Sequence, residues 1–471
     1  MPENPELRRL IAASGWTYQN VAAAVNAAGR EAGIALSYDR TAVAHWVEGT
    51  RPRAAVRGVL AEVFSRALER VVAVEELGFG GGSAQPQAGT PGAAAGEQGV
   101  VEVSYPASGH YNHPAALPPD EMPRTPEDLE TVATLTASGA LADAAIGPFR
   151  AAALAVPEPQ LWPAAFQAVA DGAVAARIGR PEVEAATAIL SFFSDADAAF
   201  GGGRALTALS GYLSTVVSGW LRRPSRAADH QALLSVAGSL CYLAGFACLD
   251  QRSQAAAQRY YLLSLRLMHE AGDTVGYGIA LRAMSVQARL LGHHAESVTL
   301  AEAATAAVGT RAPALTRAFL IGQTAVARAA ADDPAGAARD LHTAAELLAQ
   351  ATLEPVAIGR YDSAALAHAE ASVAAAGGRR KAAIERLSAS LRDRHDTGRR
   401  SRAVLSAQLA EIQLADGQID AALSSWRRFC DDVPALESGR VDAALASMRS
   451  RLLPLRRHPG AAELLTRAAG L

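Results

Sequence analysis

Lysine is all but missing from this chain: Lys381 is the only one, so the basic side of a formal net charge of -3 rests on arginine. A phosphate-binding Walker loop needs a Gly-Lys-Ser/Thr step, and none exists. Aromatic residues make up only 5% of the chain while alanine is abundant, a balance that favours closely packed helices over sheets. The three cysteines, Cys241, Cys248 and Cys430, show no CxxC spacing and read as buried free thiols in a reducing cytoplasm. HExxH, a GxGxxG after a strand and a GxSxG elbow are also missing, and the acidic residues fall at helix-surface spacings. An enzyme is therefore not expected, nor is a cofactor or a metal site. Near-neutral charge excludes a polyelectrolyte that coats nucleic acid indiscriminately. The start, MPENPELRRL, has no basic-then-apolar leader, so a cytoplasmic location is expected.

What is present begins with residues 39–52, DRTAVAHWVEGTRP. Val43 and Trp46 fall three apart and face a core, Gly49 supplies a C-cap, and Pro52 forbids continuation. The opposite face carries Arg40, Thr41, Ala44 and His45, side chains able to reach a base edge or a phosphate. Leu7, Leu10 and Ile11 predict a helix before it, and Thr17 caps a second one over YQNVAAAVNAAG. A fourth helix is predicted over 54–70, with Val56, Val59, Leu60, Val63 and Phe64 as its apolar stripe. Helix, turn, helix, connection and recognition helix follow in the order of a helix-turn-helix domain spanning 1–79. Residues 1–80 hold nine Arg against nine acidic residues, yet Arg40, Arg51, Arg53 and Arg57 cluster around the third helix with only Asp39 and Glu48 opposing. Arg40, Thr41 and His45 are the base-edge candidates, and Gln19, Arg51 and Arg53 the phosphate or backbone candidates, on double-stranded DNA.

Residues 80–125, opening with GGGSAQPQAGTPGAAAGEQG and continuing Pro-rich, bury too little apolar surface to offset their ordering entropy and are expected to be a flexible linker. The HxxH of His110 and His113 falls inside it, next to Pro114, and reads as loop rather than ligand.

Over 126–471 amphipathic helices recur with a common register. Gly417, Ala422, Trp426 and Phe429 occupy the spacing of a tetratricopeptide turn glycine, helix-crossing residue and bulky partners. The same register places Gly292 with Ser297, Asp332 with Ala337, Gly378 with Ala383, and Gln251 with Ala256. The small positions repeat at roughly 40 residues, longer than the ~34 of a standard tetratricopeptide. Stacking such pairs builds an α-solenoid whose concave side takes up a peptide, a small molecule or a protein. Its exposed candidates are Arg282, His293, His294, Arg317, Arg360 and Tyr361. Gly201 to Gly203 ahead of Arg204 read either as an anion-cradling turn or as a tight turn where backbones approach closely. Residues 232–249 are uncharged for about the minimum length that spans a bilayer, but their Ser and Gly content and place at the start of a repeat predict a buried solenoid helix and no membrane partner.

Residues 5–79 resemble a divergent XRE-type helix-turn-helix. The whole chain, through RTAVAHWVEGTRPR, GGGRALTALSGYL and the repeats that follow, resembles an actinobacterial family of developmental and antibiotic-production regulators with tetratricopeptide-like repeats. It departs from that pattern in a longer connection over 30–37 and in having Arg204 where the family carries a His after the three glycines. The resemblance implies a transcription regulator that binds DNA as a homodimer and senses a ligand or partner through its body. The rival class is an interaction scaffold or anti-regulator with a vestigial helix-turn-helix, favoured by the balanced charge of residues 1–80 and the longer connection.

Overall fold

A computed structural model of the chain describes residues 4–14, 16–31, 36, 38–50, 52, 56–57, 59–60, 63–64, 67, 72, 74–79, 125–139, 149–159, 162, 165–166, 177–351, 361–394 and 398–471. These residues are almost entirely helical, with a single bridge between Ile178 and Ser225 as the β pairing among them. They fall into two compact units, one within residues 1–96 and one within 97–471. Most of the span read as a linker, 80–124, lies outside the described residues.

Unit 1 packs α1 (Pro5–Ser14), α2 (Tyr18–Glu31) and α3 (Arg40–Val47) around one core. Leu7, Leu10 and Ile11 of α1 meet Val21 and Val25 of α2, Val43, Trp46 and Val47 of α3, and the stripe Val56, Val59, Leu60, Val63 and Phe64. The helix predicted over 54–70 is described only in part, and all five of its stripe residues are buried. Two asparagines tie the unit together. Asn4 donates from its backbone N–H to the Val47 carbonyl (2.8 Å) and from Nδ2 to the Leu77 carbonyl (2.7 Å), while its Oδ1 accepts from Leu7 N–H. Asn26 brackets Tyr38, donating to its carbonyl (2.7 Å) and accepting from its N–H (2.8 Å), and so fixes where the chain leaves α2 and enters α3. Each uses a side-chain amide as a stand-in for backbone pairing, which satisfies groups that no ladder reaches.

Unit 2 opens with α4 (Pro126–Ala137), capped by a reciprocal Thr125–Asp128 box, and a strap made of residues 149–159, 162 and 165–166. The strap docks through polar side chains: Gln258 pairs with both backbone groups of Arg150, and the Glu270 carboxylate accepts from the N–H groups of Ala165 and Phe166. Next come α5 (Arg180–Phe200) and α6 (Gly202–Tyr212), the latter running through a π-helical turn (Leu213–Val217) to Leu221.

Five antiparallel helical hairpins then follow: α7 (Ala227–Asp250) with α8 (Gln254–Ala271), α9 (Thr274–Leu290) with α10 (His294–Val308), α11 (Ala314–Ala330) with α12 (Pro334–Gln350), α13 (Ser363–Ala376) with α14 (Arg380–Asp393), and α15 (Arg399–Ala415) with α16 (Ile419–Asp432). They form a helical-repeat body, closed off by α17 (Gly439–Leu452) and α18 (Pro459–Ala469). Each hairpin turns through one residue of positive φ: Arg252, Gly292, Asp332, Gly378 and Gly417. Five residues later a small side chain is buried at the helix crossing: Ala257, Ser297, Ala337, Ala383 and Ala422.

Four of these hairpins keep the register read from the sequence; the first is shifted by one, from Gln251 and Ala256 to Arg252 and Ala257. Three consecutive alanines, Ala255 to Ala257, leave that register open in the sequence. The structure selects it through a repeated bond: Ser264 Oγ donates to the Gly238 carbonyl (2.8 Å), as Ser390 Oγ does to the Ala364 carbonyl (2.6 Å).

Helix α7 is long and apolar enough to cross a bilayer by length and composition alone, yet 72% of its most apolar window is buried inside unit 2. It is the central core helix, with buried residues around its whole circumference from Leu233 to Asp250.

Candidate functional site

In unit 1 the functional candidates sit on α3. Asp39 caps it by accepting from Ala42 N–H (2.9 Å), which fixes the first turn. With Val43, Trp46 and Val47 locked into the core, and Tyr38 packed edge-on against Trp46 at 4.9 Å, the opposite face is forced outward. Arg40, Thr41 and His45 are all exposed on that face, and Gln19 is exposed on α2. Arg51, Arg53 and most of the connection 30–37 lie outside the described residues.

In unit 2 the repeat body curls until its two ends meet. Arg400, at the start of α15, is buried between Asp197 of α5 (2.9 Å) and Asp250 at the end of α7 (3.5 Å), with its guanidinium 4.7 Å from the Phe246 ring centroid. Burial pushes the Asp197 carboxyl up despite the pull of Arg400. The Gly201 to Gly203 turn closes the same seam. Gly203 N–H donates to the Glu437 carbonyl (3.0 Å), Glu437 N–H to the Phe200 carbonyl (2.8 Å), and Gly202 N–H to Asp250 (3.1 Å). A Cβ on Gly202 would stand 2.8 Å from the Ala247 backbone, and one on Gly201 would meet the Glu437 carbonyl. The glycines thus serve a close backbone approach. Arg204 lies beside them, half exposed and 4.0 Å from the Glu437 carboxylate.

Curling leaves a cavity of about 210 Å³ lined by the first helix of each of the five hairpins, by Tyr261 of α8 and by Arg440 of α17. Arg282 of α9 lays its guanidinium over Phe319 of α11, 3.8 Å from the ring centroid, and its Nε is buried with no hydrogen-bond partner. Tyr361 packs edge-on to the same ring at 6.1 Å, and its buried hydroxyl is also unpartnered. Space for it comes from Gly322, where a Cβ would fall on the Tyr361 hydroxyl. Burial pulls the Arg282 guanidinium down and pushes the Tyr361 phenol up. Arg289, Arg440, Gln323, Gln408, Ser372 and His368 add to the polar lining, and neither Asp nor Glu is among the described lining residues. Burial and the surrounding arginines hold the His368 imidazole down at about 3, so it is neutral at ordinary pH.

Of the body residues singled out in the sequence, Arg282 and Tyr361 meet in this cavity, half-buried and buried rather than exposed. The remaining candidates scatter. His293 stands at the N-cap position of α10 without a side-chain capping bond and stacks on Phe149 at 6.2 Å, His294 is exposed beside it, Arg317 is half-buried on α11 away from the cavity lining, and Arg360 lies outside the described residues. Sequence reasoning missed Arg289, His368, Phe319 and Arg440, which share no spacing and converge only through the curl. Among the described residues no three His, Cys, Asp or Glu side chains are grouped to hold a metal ion. The three cysteines are free and buried, with thiols pushed up by burial, to about 11 for Cys430. Such thiols are inert rather than nucleophilic.

No curated protein matches the chain. Residues 7–80, the bulk of unit 1, match the family described as the SP15 N-terminal domain, and it is this domain that unit 1 is similar to.

Proposed function

We propose that the protein is a sequence-specific DNA-binding transcriptional regulator of the XRE type, not an enzyme, acting as a cytoplasmic homodimer. In this reading α3 enters the major groove, and a tetratricopeptide-like body spaces the two heads and senses a ligand. The observation that carries it is the division of α3, with Val43, Trp46 and Val47 anchored in the core and Arg40, Thr41 and His45 all exposed on the face that remains. An arginine near a helix N-terminus, held by a capped first turn, is suited to bidentate contact with guanine O6 and N7. Ligand binding in the body then shifts the separation of the heads between states of different DNA affinity.

The test is enrichment of genomic fragments by the full-length protein at about physiological salt. The expected result is a few sites sharing a repeated motif. Arg40→Ala should cost ~1–3 kcal/mol at one base position with the circular dichroism spectrum unchanged. If no sequence is enriched by a folded protein, the scaffold reading replaces this one. That alternative draws on the shortness of α3, 8 residues with Arg40 as its one arginine.

A further inference from the structure

Two buried donors beside the cavity of unit 2 lack an acceptor. The Nε of Arg282 is buried without a hydrogen-bond partner, and so is the Tyr361 hydroxyl. Both residues line the cavity and flank one ring: the Arg282 guanidinium stands 3.8 Å from the Phe319 centroid and the Tyr361 ring 6.1 Å from it. Buried polar groups are ordinarily satisfied, so a pair left open beside one cavity marks a place for a ligand. An arginine Nε can only donate and a phenol can donate, so the group that answers both is an oxygen with two lone pairs. A water molecule can take the two bonds, but it cannot cover Phe319, Phe246 and Tyr242, which give flat apolar surface to the same cavity.

Size and charge narrow the choice. About 210 Å³ lies below the ~300 Å³ at which pockets for drug-sized ligands begin and above the ~150 Å³ that holds a benzene ring. One substituted ring fits, and a peptide of several residues does not. Burial already weighs against the charge of Arg282, and carrying a carboxylate into the same place adds the dehydration of a second ion, which a buried pair only about offsets. A carbonyl oxygen sheds far less water and still receives a charge-assisted bond.

We propose that this cavity binds a small uncharged aryl carbonyl compound, its oxygen accepting from Arg282 and Tyr361 and its ring lying against the aromatic walls. The inference rests on the sensing half of the function proposed above and is independent of DNA binding.

Saturation-transfer NMR on the full-length protein without DNA tests it. Acetophenone and benzamide are the carbonyl probes, ethylbenzene is the isostere of acetophenone without the oxygen, and benzoate is the charged counterpart of benzamide. The expected result is binding of both carbonyl probes at about 1 mM or below, with ethylbenzene at least ~10-fold weaker than acetophenone and benzoate no tighter than benzamide. Arg282→Met and Tyr361→Phe should each bring acetophenone down to the level of ethylbenzene, while Arg427→Ala, on an exposed pair with Glu463, should leave the difference intact. A second readout separates this role from a structural one. Tyr361→Phe keeps the ring and removes an unsatisfied buried hydroxyl, so the ligand-free variant should melt at the same or a higher temperature. Should Arg282→Met not fold, Tyr361→Phe reports the same loss. Equal binding of ethylbenzene and acetophenone, benzoate binding tighter than benzamide, no binding by any probe, an acetophenone preference that survives in either folded variant, or a lowered melting point for Tyr361→Phe overturns it. Because no DNA is present, none of these results bears on the recognition helix.

Discussion

His368 shows how far a single side chain can be moved by groups distant in sequence. Burial is the main reason its protonation is disfavoured, and Arg394, Arg289, Arg440 and Arg282 add to it. The folded value of about 3 lies below the ordinary 6.5, so between those values the unfolded chain binds the proton more readily than the folded one. The resulting stability is intact above about pH 6.5 and is lost as pH falls toward 3, by up to ~1.4 kcal/mol per pH unit. His368→Gln should therefore flatten the acid limb of a stability profile measured by urea unfolding between about pH 4 and 7, and an unchanged limb would refute the assignment. Nothing near His368 in the sequence announces this: it stands in an alanine-rich helix, and the arginines around it come from α9, from the C-terminal cap of α14 and from α17. Asn4 and Asn26 were equally silent, because an asparagine that replaces backbone pairing has no spacing signature.

At the scale of elements, the hairpins were the most legible part of the chain. A small residue at each crossing and a turn residue five positions earlier are local requirements, so they repeat in the sequence wherever the hairpin repeats. Three of the five turns use glycine at positive φ, while Arg252 and Asp332 hold φ of 63° and 61° without it. L-residues other than glycine are disfavoured there by ~1–2 kcal/mol, less for Asp. Asp332→Gly should therefore be neutral to stabilising by up to ~1 kcal/mol, and Gly417→Ala destabilising by ~1 kcal/mol or more. No neighbour stands within 4 Å of a Cβ at Gly417, so its loss would be conformational alone. Thermal unfolding of the two variants should move in different directions; a common direction would mean that contacts outside the turn decide.

The register slip in the first hairpin has a physical source as well: any of Ala255, Ala256 and Ala257 is small enough for the crossing, and only the Ser264 bond to Gly238 distinguishes them. In unit 1, the exposed face of α3 was legible for the same reason as the turns, since its complement, Val43 and Trp46, is written at helical spacing.

At the scale of the whole molecule, the seam decides whether unit 2 encloses a cavity. Arg400 is the centre of it, and removing one partner of a buried ionic cluster costs more than the cluster is worth. Arg400→Met leaves Asp197 and Asp250 buried together and should destabilise the protein by ~3–5 kcal/mol. Asp197→Asn should be far milder. Burial raises the Asp197 carboxyl above its ordinary 3.8, so its ionised form weighs against folding as pH rises through the folded value, and the amide removes that penalty. Chemical denaturation at neutral pH separates the two, and equal losses would mean that the Arg400 to Asp197 bond, rather than the charge balance, holds the seam. Because Phe246 touches Arg400 and also lines the cavity, a ligand there would stabilise the closed seam.

The all-helical class, the hairpin repeat, the buried face of each helix and the absence of the common catalytic motifs followed from the sequence itself. Each depends on interactions within a few turns of the chain, and residues three, four and five apart carry them. The curl of the body, the role of the three glycines and the arginine-lined cavity belong to the tertiary structure. They join residues as far apart as Asp197 and Arg400, and periodicity tells which face of a helix is buried without telling what it is buried against.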